Sequence, residues 1–131
     1  MNRTGSDGMN GSGKIVVVTC SGASNTGSLA DCVVRELVAE SPERFEMLCL
    51  PAYALGRENA LRKVREARKV LAVDGCPTRC ASTLLEKGGR VPDLTVEVSE
   101  DYDMKKTMDP RCNNQDMQRV KEDIKKRIAG W

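Results

Sequence analysis

The sequence predicts an α/β fold, an open, three-layer, mainly parallel sheet of the Rossmann or flavodoxin kind with strand order 2-1-3-4. Three observations carry this. Short apolar strands alternate with helix-length amphipathic segments, cysteines recur at strand ends 29 and 27 residues apart, and the first strand is a continuous β-branched run. A run without polar alternation suits a central strand covered on both faces. Strand, helix, strand with connections of this length calls for parallel pairing and right-handed crossovers.

Residues 1–13 are rich in Gly and Ser with few apolar side chains, which predicts a disordered leader ahead of one domain over residues 14–131. With 131 residues and 40% hydrophobic content, the chain has material for a single core. Lys14 to Thr19 is the expected first strand, and Cys20 to Gly27 a loop of small residues. From Ser28, Leu29, Val33 and Leu37 repeat at helical spacing until Pro42. Phe45 to Leu50 reads as a second strand, Pro51 to Gly56 as a loop, and Arg57 to Ala67 as a helix with Leu61 and Val64 inward. A third strand, Lys69 to Val73, runs into Asp74-Gly75-Cys76-Pro77, where Pro77 suits the first turn of a helix ending at Gly88-Gly89. Asp93 to Val98 is the fourth strand. After an acidic, Met-containing connection, Met117, Val120, Ile124 and Ile128 form one stripe of a terminal helix over Asn113 to Ile128.

Composition excludes much chemistry. No His is present, so a Ser-His-Asp triad, a Cys-His nucleophile pair and any imidazole metal ligand are absent. A net charge of +2 and 3% aromatics lack the basic footprint and stacking platforms of nucleic-acid binders. The apolar runs Ile15 to Val18 and Met47 to Leu50 are too short to span a membrane, and residues 1–13 lack a signal-peptide core. A cytoplasmic protein is expected, with no nucleic-acid or membrane partner. In a reducing compartment, six cysteines point to metal binding or redox work.

Cys20 follows the first strand, Cys49 lies near the end of the second, and Cys76 follows the third. In order 2-1-3 these strands are neighbours, and one βαβ period of about 30 residues returns the chain to the same edge each time. Cys80, four residues after Cys76, stands one helical turn on and turns back to that edge. Four thiols are thus expected at the carboxyl edge. Cys32, within the first helix, and Cys112, in the polar connection, are expected outside the site as ordinary small side chains.

Val73-Asp-Gly-Cys-Pro-Thr-Arg-Cys-Ala81 resembles the central motif of the DGC domain proteins, and Thr19-Cys-Ser-Gly-Ala-Ser-Asn25 resembles their first-strand motif. The resemblance covers roughly residues 14–98 and includes the cysteine of Met47-Leu-Cys-Leu50. It implies a zinc-binding protein with four chelating cysteines, which fall on Cys20, Cys49, Cys76 and Cys80. Asp74, Ser21, Ser24 and Asn25 are expected to tune that site from just behind its ligands, Asp74 also reading as a turn and cap residue and Ser24 and Asn25 as helix caps.

Other signals carry less. Gly8 to Lys14 matches part of a phosphate-binding loop, but Ile15 replaces the Ser or Thr and the strand follows instead of preceding. A Cys-x5-Arg phosphatase needs Arg where Thr26 stands. The basic run Arg57 to Lys69 interleaves with Glu58 and Glu66 as a solvated helix face. The acidic stretch Glu97 to Asp103 lacks the spacing of an EF-hand. The expected function is a small zinc-binding protein. The alternatives are a thiol redox or sulfur-transfer enzyme using Cys20, Cys76 and Cys80, with a small thiol, sulfur or anionic ligand, and an iron–sulfur protein.

Overall fold

A computed structural model describes residues 13–131, so the predicted leader lies outside the described residues apart from Gly13. Four strands, β1 (Ile15–Thr19), β2 (Phe45–Met47), β3 (Lys69–Asp74) and β4 (Leu94–Glu97), form one all-parallel sheet in the order β2-β1-β3-β4. The helices are α1 (Asn25–Glu40), α2 (Leu50–Ala54), α3 (Glu58–Glu66), α4 (Cys80–Lys87), α5 (Val98–Asp101) and α6 (Asn114–Arg127). The expected fold class and strand order are those observed.

Both faces of β1 are buried, which is why its sequence does not alternate. Ile15 and Val17 face one apolar layer with Leu29, Val33, Leu37, Val120 and Ile124 of α1 and α6. Val16 and Val18 face the other, with Leu48, Tyr53, Val64 and Leu85 from the β2–β3 and β3–β4 crossovers. The sheet is therefore sandwiched between two helical layers. β2 and β3 flank β1 on opposite sides, so the winding reverses beside β1 and the carboxyl ends of β1 and β3 border the crevice that doubly wound sheets offer to ligands.

Several boundaries differ from the sequence reading, each for a local reason. The second strand stops at Met47, and residues expected as a loop form α2, where Pro51 sits in the first turn and Tyr53 is buried. Proline at a helix start costs no hydrogen bond, so a short apolar helix competes successfully with further strand. The helix expected from Pro77 begins only at Cys80, because Arg79 adopts a left-handed conformation (φ 53°) and Asp74 captures the first helical N–H groups. β4 ends at Glu97, whose side chain accepts from Glu100 N and starts α5. α1 begins three residues before Ser28, capped by Ser24, which accepts from Gly27 N at 3.1 Å. The basic side chains of α3 are largely exposed, with Arg65 on Glu58 at 2.7 Å, as a solvated face requires.

Candidate functional site

Glycine brings two cysteine-bearing loops together. A Cβ on Gly75, just after β3, would stand 2.5 Å from the Cα of Gly27 at the start of α1, and one on Gly27 would stand 2.8 Å from the Cα of Gly22. The loop after β1 and the turn after β3 therefore pack backbone against backbone. This contact sets Cys20 beside the Gly75-Cys76 turn, and Gly75 N–H donates to Cys20 Sγ at 3.4 Å. Two non-glycine residues in this region, Ser21 (φ 49°) and Arg79 (φ 53°), occupy left-handed backbone immediately after Cys20 and immediately before Cys80. Such conformations cost about 1 kcal/mol or more each and persist where the surroundings fix them.

Cys20, Cys76 and Cys80 line one cavity of about 250 Å³, with Asp74 at its base and Lys106 at its mouth. Cys49 lines a neighbouring, wider cleft of about 610 Å³, which it shares with Cys20 and Ser21. The structure thus brings three of the four expected cysteines to one cavity and sets the fourth on the far side of Cys20. Cys49 precedes α2 instead of ending a strand, and it is exposed, as is Cys80. Cys80 reaches the cavity as the first residue of α4, across the tight turn that Arg79 N closes on Cys76 O at 3.1 Å, and not by one turn of helix. The sequence places helix N-termini behind Cys20 and Cys76, where N–H dipoles would offset thiolate charge. No helix begins directly at Cys76, however, and α1 begins five residues beyond Cys20, so of the three cavity cysteines Cys80 alone stands at a helix start.

Cys20 and Cys76 are tuned in opposite directions. Burial raises the Cys20 thiol above its ordinary value, against the N–H groups of Gly75 and Gly22, and the charges of Asp74 and Cys76 add to the rise. The Cys76 thiol is lowered, first by the Thr78 hydroxyl and backbone N–H, then against slight burial by Lys106, whose Nζ lies 3.6 Å from the sulfur. Hydrogen bonds to a thiolate favour the charged form, while desolvation favours the neutral one.

Asp74 is fully buried and acts as the cap expected of it, on a helix six residues further on: it accepts from Ala81 N at 2.8 Å, Ser82 N at 3.2 Å and Ser82 Oγ at 2.5 Å. It holds the start of α4, and with it Cys80. Ser24 is a buried cap, and Ser21 Oγ donates to Asp31 at 3.0 Å, away from the thiols. Asn25 does something else. Its side chain donates to Lys105 O at 3.0 Å and accepts from Thr107 N at 2.6 Å, pinning the connection between α5 and α6 against α1. That connection delivers Lys106 and Met108 to the cavity, which the sequence reading missed. The paired lysines Lys105-Lys106, standing out from an otherwise acidic stretch, were the available signal.

Cys32 and Cys112 lie outside the cavity, as expected, but not independently: their sulfurs are 2.7 Å apart. A second unforeseen feature is Glu97, 2% exposed, in register with Asp74 across β3 and β4. One carboxylate oxygen accepts from Ser99 Oγ and Glu100 N, and the other has no hydrogen-bond partner among the described residues.

The donor set suits a thiophilic ion, since sulfur ligands favour zinc and no imidazole competes. Among the described residues, however, no three Cys, Asp or Glu side chains are grouped closely enough to hold a metal ion. The chemistry fits zinc, whereas the spacing is that of separate thiols around shared walls.

Fold and site define a small doubly wound α/β protein with a cysteine-lined cavity at its switch point. The DGC domain profile matches residues 16–124, and the chain belongs to the DGC domain family. The match extends past the region carrying the motifs into α6, so the connection that carries Lys106 lies within it. The chain is also 32% identical over 105 residues, covering 80% of it and 78% of the relative, to the anaerobic and virulence modulator AnvM of Pseudomonas aeruginosa. No solved structure matches it.

Proposed function

We propose that this protein binds one zinc ion through thiolates, with Cys20, Cys76 and Cys80 as the core of the site and Cys49 as the fourth ligand. The carrying observation is that three of the four cysteines, drawn from two different loops and a helix start, line one cavity at the switch point. Cys49 stands on the other wall of Cys20. A zinc ion supplies charge neutralisation for clustered thiolates and, with an open position, Lewis acidity. Asp74 holds α4 and Cys80 in place, the Gly22, Gly27 and Gly75 contact holds Cys20 beside Cys76, and Lys106 offsets negative charge at the mouth. Six free cysteines suit a reducing, cytoplasmic setting, and no described helix is long and apolar enough to cross a membrane.

A second reading is thiol chemistry at Cys20 and Cys76, favoured by their common cavity and by the absence of a grouped metal site among the described residues. Cobalt(II) titration of the reduced chain under anaerobic conditions separates the two. Zinc-type binding gives thiolate charge-transfer bands and tetrahedral d–d bands that saturate at one ion per chain and are lost in the Cys20→Ser, Cys76→Ser variant. Absence of these bands in the folded wild-type chain moves the assignment to thiol chemistry.

A further inference from the structure

We propose that Cys32 and Cys112 form a separate redox pair whose disulfide staples the connection between α5 and α6 onto α1, over the cysteine cavity. The sulfurs lie 2.7 Å apart, although 80 residues separate them in the chain. The two free thiols are thus in direct contact, inside the ordinary separation of unbonded sulfurs though longer than the ~2.05 Å of a disulfide bond, so closing the bond needs only a small approach. Both residues are half-buried, and both line an open cleft of about 300 Å³ with Arg35 and Glu36, through which a small disulfide reaches them.

The placement gives the pair a task. Asn25 and Cys32 stand seven residues apart on α1, two helical turns along one face. Asn25 grips the connection at Lys105 and Thr107, and Cys32 meets it at Cys112. The segment between is thus held at both ends of a stretch of α1. Lys106, adjacent to the Asn25 grip, contacts Cys76. With the disulfide closed, the strap is covalently fixed. With the thiols reduced, Cys112 meets α1 through the thiol–thiol contact with Cys32 and no covalent bond.

Closure is written with a low-molecular-weight disulfide, RSSR, as oxidant. A thiolate of the pair attacks one sulfur of RSSR, breaking its S–S bond and releasing one RS⁻. The second thiolate then attacks the protein sulfur of the mixed disulfide, forming the Cys32–Cys112 bond and releasing the other RS⁻. Two protein thiols are oxidised, RSSR is reduced, and the two protons leave with two RSH.

The test exposes the reduced, full-length chain to graded ratios of glutathione disulfide to glutathione, quenches in acid, alkylates, and maps peptides by mass. The expected product is a Cys32–Cys112 linked peptide with two hydrogens lost, while Cys49 and Cys80 remain alkylated. Hydrogen exchange across residues 104–112 should slow in the oxidised form. In Cys112→Ser the linkage disappears and exchange becomes insensitive to the glutathione ratio. A folded wild-type chain that yields no such linkage at any ratio, or links Cys20 to Cys76 in preference, overturns the proposal. Because Cys32 and Cys112 take no part in the proposed zinc site, failure here leaves that reading intact, and failure of zinc binding leaves this one intact.

Discussion

Replacement of Asp74 by Ala should unfasten α4 and strip the candidate site of its most deeply buried support. The carboxylate is fully buried and accepts three hydrogen bonds, from Ala81 N, Ser82 N and Ser82 Oγ. Bonds to a charged acceptor contribute about 1.5–3 kcal/mol each, and they are not additive when they share one acceptor. Ala81 and Ser82 lie in the first turn of α4, where N–H groups have no partner within the helix, so the variant strands both donors. Relief of the buried charge offsets part of this loss. A net destabilisation of about 3–4 kcal/mol follows, a large share of the ~5–15 kcal/mol typical of a domain. With a urea slope of roughly 1–3 kcal/mol/M, the unfolding midpoint should fall by about 2 M. Asp74→Asn keeps one acceptor oxygen and should fall about half as far, which also supplies a graded reading where the Ala variant is too weak to study. An Asp74→Ala midpoint within about 0.5 kcal/mol of the unaltered protein would refute the view that Asp74 anchors α4.

Gly75→Ala places a Cβ 2.5 Å from backbone atoms of Gly27, neither of which is a flexible side chain, so the two loops must separate. We expect a loss of about 1–3 kcal/mol in thermal unfolding and weaker cobalt binding, whereas Gly130→Ala, with nothing nearby, should change neither. Cys32 is held up to about 11, first by burial, then by the Cys112 thiol, with Asp31 adding and Ser28 opposing. A raised thiol is protonated at neutral pH, so its alkylation by iodoacetamide should climb about tenfold per pH unit from pH 7 to 9. A flat profile measured at Cys32 by peptide mass would show that burial and Cys112 do not restrain it.

The sheet was legible because its cause is repetitive. Continuous β-branched residues at Ile15 to Val18, and near-equal spacing between Cys20, Cys49 and Cys76, both report parallel strands returning to one edge. The capping roles of Ser24 and Asp74 were legible for a related reason, since small polar residues at strand-to-helix junctions have few other uses. What escaped depends on distant partners. Nothing local announces that Asn25 grips residues 105 and 107, that Lys106 reaches Cys76, or that Cys32 meets Cys112 across 80 residues. The late start of α4 escaped because Pro77 is a permissive signal, while the deciding interactions, a left-handed Arg79 and the Asp74 carboxylate, are tertiary. Cys49 reads as a strand end in sequence, yet Pro51 and Tyr53 draw that segment into a helix and set its thiol on a separate wall.

The most direct test of the proposed zinc site is the metal content of full-length chain purified without oxygen or added chelator, measured by elemental analysis beside a thiol count. One zinc per chain in the unaltered protein, lost in the Cys20→Ser, Cys49→Ser double variant and retained in Cys32→Ser and Cys112→Ser, is the predicted result. Metal-free protein with all six thiols open to reagent, or zinc undiminished in the Cys20→Ser, Cys49→Ser variant, would contradict it.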